Sequence, residues 1–289
     1  MTDDRDLPAP VALARRLVQD AELHALCGAI AFFSLLSFYP GAFLLLSLLG
    51  RLPWDAPRLA LLEALRMYYP AAQEFLLRNL GVSVVQYGRD LPWSAALWIL
   101  VGAAGVFIPL ETVLNRAFGF RRHRPYLWNQ AVGTALSLAT AAIAVLALLA
   151  AGAVRAAVEA ATAPGFARSA LSLFALRGFA VLGTAAVVLL WFRFLPNGRV
   201  PLRAVLVPAF WTTLAVHLVH LGYLLVLPRL ALPRVHGPFY VSAGFALLAY
   251  ALAFVLVGGA LLAGRHSPGA QLASEIPPEE EADGTARAG

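Results

Sequence analysis

Formal charges leave long gaps along this chain, and the gaps set its architecture. No charged residue lies between Glu22 and Arg51, between Asp90 and Glu111, or between Arg124 and Arg155. Three further gaps follow towards the C-terminus. A helix needs about 20 mostly apolar residues to cross the hydrocarbon core. The gaps therefore predict six spans, over about 25–49, 91–111, 127–153, 170–192, 204–227 and 238–264. The fourth carries Arg177 near its start, towards an interface or the bundle interior. Pro40 and Gly41, in the middle of the first span, predict a kink or a break there.

Between and around the spans the pattern changes period. Leu13, Leu17 and Ala21 recur at i, i+4 and i+8, which predicts a short amphipathic helix lying on the membrane within an N-terminal cytoplasmic segment, 1–22. In the first loop, Asp55 followed by Pro57 is a helix-start signal. Leu59, Leu62, Leu65 and Tyr69 fall roughly on one face before Pro70 ends the helix. Ala72, Phe75, Leu76, Leu80 and Val84 repeat the spacing, so 55–88 reads as an amphipathic hairpin at the outer interface or capping the bundle. The tail 266–289 has no apolar period and reads as disordered. The expected fold is all-α: a polytopic membrane protein of six transmembrane helices within 23–265, with an extracytoplasmic helical hairpin.

Composition strengthens the membrane reading. Of 289 residues 60% are hydrophobic and 13% charged, with a mean hydropathy of +0.74. Soluble domains carry roughly 25% charged residues, so this chain lacks the polar cover of a soluble globule. All 22 basic residues are Arg, and the formal net charge is +6. No basic stripe with interleaved aromatics accompanies that charge, which argues against nucleic acid and for anionic lipid headgroups as partners. Cys27 stands alone in an apolar run, so neither a disulfide framework nor a thiolate metal cluster is expected. The N-terminus, Thr2-Asp3-Asp4-Arg5-Asp6, is too acidic for a secretory signal. Arg density is higher in the second loop (Arg116, Arg121, Arg122, Arg124) and the fourth (Arg193, Arg199, Arg203) than in the long first loop. By the positive-inside rule those loops and both termini face the cytoplasm.

Candidate chemistry is sparse. His217 and His220 share a face of the fifth span, with Thr213 one turn before. They serve as a polar or proton-relay lining, or as interhelical hydrogen-bonding groups; a metal would need a third ligand that no span supplies. Ser34, Ser37 and Pro40 on the first span either line a path beside the Pro discontinuity or set helix packing. Glu111 and Asn115 lie one turn apart at the cytoplasmic end of the second span. Arg116 is placed to pair with Glu111 or with lipid phosphate, assisted by Arg121, Arg122, Arg124, Arg199 and Arg203. There is no Walker-type loop, no Gly-x-Ser-x-Gly and no His-Glu-x-x-His. The acids lie mostly in the first loop and the termini, away from any two-metal arrangement. The expectation is a non-enzymatic protein without cofactor or metal.

Three phrases carry a family resemblance. The run 29–40 (Ala-Ile-Ala-Phe-Phe-Ser-Leu-Leu-Ser-Phe-Tyr-Pro) resembles the first-span signature of the YihY/BrkB family of bacterial inner-membrane proteins. Leu114-Asn115-Arg116-Ala117-Phe118-Gly119, with the Arg cluster and Pro125 after it, is similar to that family's second cytoplasmic loop. Phe194-Leu195-Pro196-Asn197-Gly198-Arg199-Val200-Pro201, then Arg203-Ala204, resembles its fourth-loop motif. The resemblance implies six inner-membrane helices with both termini cytoplasmic. The family's labels include virulence or serum-resistance factor, envelope or lipid handling, and an old ribonuclease name that these residues do not support. Two departures stand out. His236-Gly237 replaces the family's Tyr-Gly, and Gly259-Ala260-Leu261 lacks the Glu that family members tend to carry near the end of the last span. The leading expectation is binding or transport of a lipid or other amphiphilic envelope component. The alternative is a structural or assembly partner of an envelope protein complex, with no transported substrate.

Overall fold

A computed structural model describes residues 15, 17–49, 56–68, 93–120, 124–161 and 165–265. Their regular elements are all helices, the form that satisfies every backbone group where no water can. In chain order they are α1 (Ala21–Leu49), α2 (Ala56–Tyr68), α3 (Trp93–Phe118), α4 (Tyr126–Ala161) and α5 (Phe166–Phe194). Then follow α6 (Leu202–Val226), the short α7 (Leu232–His236) between two 3-10 turns, and α8 (Tyr240–Arg265). Among the described residues, α1, α4, α5, α6 and α8 contain stretches long and apolar enough to cross a membrane. The second expected span falls on α3, a 26-residue helix packed against α1, α4 and α8.

Local chemistry explains where these helices start and stop. The Asp20 carboxylate accepts hydrogen bonds from the backbone N–H groups of Glu22 and Leu23 at 3.0 and 3.3 Å, so α1 begins with an Asp cap, four residues earlier than the charge gap alone indicates. Leu17, expected to lie on the membrane, instead packs on the core beside Gly258; Leu13 lies outside the described residues. At the end of α3, Gly119 adopts φ +74°. The Phe120 N–H reaches the Asn115 carbonyl at 2.8 Å and the Gly119 N–H reaches that of Arg116, which is a Schellman stop. The expected break at Pro40 does not occur: α1 runs through it to Leu49.

The first-loop helix is present as α2, which packs on α4 with Ala60, Leu61 and Leu65 buried. Arg155 of α4 ties it down through Glu63 and also bonds Glu159 at 2.9 Å. At 36 residues, α4 is about 54 Å long, well beyond the roughly 30 Å of hydrocarbon. Its last turns supply the docking surface for α2. The second helix of the expected hairpin, 72–84, and the tail 266–289 lie outside the described residues.

The start of α1 and the ends of α3, α5 and α8 meet at one basic end. There Cys27, Leu110, Val113, Leu114, Phe192, Val205, Val257 and Ala260 form a closed core. Along α6 burial falls away from that end. In α6 the buried residues are Ala204, Val205, Pro208, Ala209, Thr212 and Thr213, all in its first half. Small residues permit the close packing, as expected where lipid gives helices no hydrophobic reason to associate. A Cβ on Gly264 would overlap the backbone carbonyl of Ala117, and one on Gly259 would overlap the Thr212 side chain. Gly264→Ala should therefore cost about 1–3 kcal/mol, read as a lower thermal midpoint in detergent. Gly222→Ala, with open space around its Cβ position, should leave the midpoint unchanged or raise it. Equal midpoints for the two variants would refute the close approach of α3 and α8.

Candidate functional site

The C-terminal turns of α3 carry two buried polar side chains, Glu111 at 5% exposure and Asn115 at 7%. Asn115 Nδ2 donates to Glu111 Oε1 at 3.3 Å, and Asn115 Oδ1 accepts the Asn197 backbone N–H at 2.8 Å. The amide is thereby fixed with its donor towards the acid and its acceptor towards the fourth loop. Arg124 adds two bonds to the same loop, from its terminal nitrogens to the carbonyls of Leu195 and Pro196 at 3.1 and 2.8 Å. These carbonyls follow the last turn of α5, where a cation is favourable. Phe120 completes the seam by lying against Gly198, where a Cβ would overlap its ring. Asn115 and Arg124, read in the sequence as headgroup ligands, thus also tie the second loop to the fourth.

A cavity of about 360 Å³ opens beside this seam, lined by Glu111, Asn115, Arg116, Phe120, Arg124 and Asn129 among others. Both signs of charge face it. Arg116 pairs with Glu22 of α1 at 2.5 Å, not with Glu111 as its spacing suggests. That pair is about half exposed, and it joins the start of α1 to the end of α3. Arg199 and Arg203 are exposed and do not line the cavity. Arg121 and Arg122 lie outside the described residues.

The fifth-span histidines occupy a different place. His217 and His220 line a cavity of about 260 Å³ between α6 and α5, to which α5 contributes Arg177 and Val181. Thr213 does not join them: it is buried and bonds the Ala209 carbonyl at 2.8 Å. The first-span candidates do not line either cavity. Ser37 donates to the Phe33 carbonyl at 2.7 Å and faces Gly102 of α3, where a Cβ would overlap its hydroxyl. Ser34 and Pro40 are half-buried on the same helix. Thr112, Phe120 and Asn129 escaped notice in the sequence, since nothing in their spacing marks them as cavity residues. Arg177 carried one signal, a charge inside an apolar run. Among the described residues no group of three His, Cys, Asp or Glu is placed to hold a metal ion.

Helices, cavities and charge distribution together define a polytopic helical membrane protein. A family model described as Virulence factor BrkB matches residues 14–280, a range that includes α1 to α8, and the chain belongs to that family. No curated protein and no solved structure matches it.

The loop seam makes a direct prediction. Asn115→Ala strands the buried Glu111 and the Asn197 N–H, at a cost of about 1–3 kcal/mol. Hydrogen exchange at residues 195–198 should accelerate, whereas Arg199→Ala should leave that exchange unchanged. Unaltered exchange in the Asn115 variant would show that the loop is held by other contacts.

Proposed function

We propose that this chain is a non-enzymatic inner-membrane protein with six spans and cytoplasmic termini. In this reading α3 is the second of the six spans, and the basic end faces the cytoplasm by the positive-inside rule. Its function is to bind, and to pass along, a lipid or other amphiphilic envelope component whose headgroup enters the cavity at the basic end. The observation that carries this reading is the cavity itself: about 360 Å³, open beside Arg116 and Arg124, with Glu111 within. A headgroup phosphate suits the two guanidinium groups. Glu111 suits a hydroxyl or ammonium carried on the same headgroup. Arg121, Arg122, Arg199 and Arg203 raise the local density of anionic lipid by their charge.

The test is to extract the protein into native-lipid nanodiscs and identify the co-purifying lipids by mass spectrometry against empty discs from the same membranes. One lipid class should be enriched. Arg116→Gln should reduce that enrichment about two- to fivefold, the range for an exposed charge. Glu111→Gln should change which headgroup is retained. A profile equal to the bulk membrane would sink the proposal. The rival reading, a scaffold for envelope complexes, draws on the fact that Arg124 and Asn115 already bond the fourth loop. It would be favoured by a bulk-like lipid profile together with a protein partner at fixed stoichiometry.

A further inference from the structure

The α5–α6 cavity plays no part in the headgroup site just described, and its composition is different. Arg177, His217 and His220 supply its polar lining, with Val181, Leu214 and Leu218 among its apolar wall, and it contains no carboxylate. Among the described residues Arg177 has no acidic partner, and His217 Nε2 is buried without a hydrogen bond. An arginine at membrane depth is costly without a counter-charge. Arg177 is exposed while it lines the cavity, so its charge is open to an anionic group approaching from outside.

Depth and access identify the kind of anion. Arg177 lies 16 residues before Arg193 on α5, while His217 and His220 lie 14 and 17 residues after Arg203 on α6. At about 1.5 Å per residue, all three sit roughly 21–26 Å from the basic end. In a hydrocarbon core of roughly 30 Å, that places them in the leaflet away from the basic end, within reach of its headgroups. The walls open sideways to lipid: Leu218 and Leu221 are both more than half exposed on the bundle surface. A soluble anion would have to cross this apolar wall, whereas a lipid arrives along it. At about 260 Å³, the cavity falls just below the usual range for whole small-molecule ligands. It suits a headgroup with its chains left outside.

We propose that Arg177, His217 and His220 form a second lipid site, which binds the phosphate of an anionic phospholipid from the leaflet opposite the basic end. The acyl chains lie along Leu214, Leu218 and Leu221. A zwitterionic headgroup is disfavoured because no acid is present to receive its ammonium. The site stands independently of the cavity at the basic end.

Native mass spectrometry of the delipidated protein, titrated with phosphatidylglycerol, tests this directly. The measurement is made in the Arg116→Gln background, so that loss at the basic end is counted separately. Arg177→Gln should weaken binding of one phosphatidylglycerol about tenfold, the effect of losing a charge-assisted hydrogen bond. Arg177→Lys should retain most of it, and the double variant His217→Leu with His220→Leu should weaken it with Arg177 intact. The histidine pair also keeps the test decisive if Arg177→Gln fails to fold. Equal binding by the parent, Arg177→Gln and the histidine variant would overturn the site. Displacement by millimolar inorganic phosphate would overturn its assignment to lipid, and equal affinity for phosphatidylcholine would overturn the requirement for a net negative head. Phosphatidylglycerol bound at this site with no lipid effect of Arg116→Gln would remove the basic-end reading and leave this one standing.

Discussion

Backbone approach between helices is the constraint on which this structure rests. Lipid is as apolar as leucine, so burying leucines gives transmembrane helices little reason to associate. What remains is van der Waals contact at short range, and that requires missing side chains at the right places. Gly264 under Ala117, Gly259 under Thr212, and Gly102 with Gly105 against Ser37 and Phe33 supply those places. They bring α8 against α3 and α6, and α3 against α1. Everything polar at the basic end depends on that framework: the Arg116–Glu22 pair and the Asn115 and Arg124 bonds to the fourth loop all bridge elements that the glycines bring together.

Polar interactions then do a different job from packing. Each one secures a segment that packing alone would leave free to slide. His24 is an example at the start of α1. Its Nε2 lies 3.0 Å from the Val18 carbonyl, which can only accept, so Nε2 donates there, while Nδ1 shares a hydrogen bond with the Tyr250 hydroxyl at 2.6 Å. One ring thus links the segment before α1, α1 itself and α8. Within the membrane the Trp191 indole reaches Thr140 at 2.9 Å between α5 and α4, while Trp191 meets Phe107 of α3 edge-on. These side chains fix register where the smooth apolar faces do not.

Much of the architecture was legible in the sequence because its signal is local. A charge gap longer than a membrane is thick and Asp55 followed by Pro57 each state their structure within a few residues. The helix start at Asp20 was equally local, yet it lay outside the apolar run and so outside the span boundary. The candidate site was legible only in part. Glu111, Asn115 and Arg124 announced themselves as polar residues at a span end, but Arg116 found its partner 94 residues away, in a helix whose proximity no spacing reveals. For Ser37, a hydroxyl near a proline, the sequence left path lining and helix packing both open. Its packing against Gly102 depends on a neighbouring helix that its own sequence cannot specify. Arg177 and the two histidines were separately visible, and their meeting required the pairing of α5 with α6.

The uneven burial along α6 has a mechanical meaning. With its first half gripped and its second half lightly packed, α6 resembles a rod clamped at one end. Displacement under such a clamp grows with distance from it. For α6, 25 residues long and therefore about 37 Å, a tilt of about 7° at the clamped end carries the far end through about 4.5 Å. That is close to the width of an acyl chain. Small angular freedom at the rigid end thus becomes a gap of molecular size at the other, with no loop refolding and no seam broken.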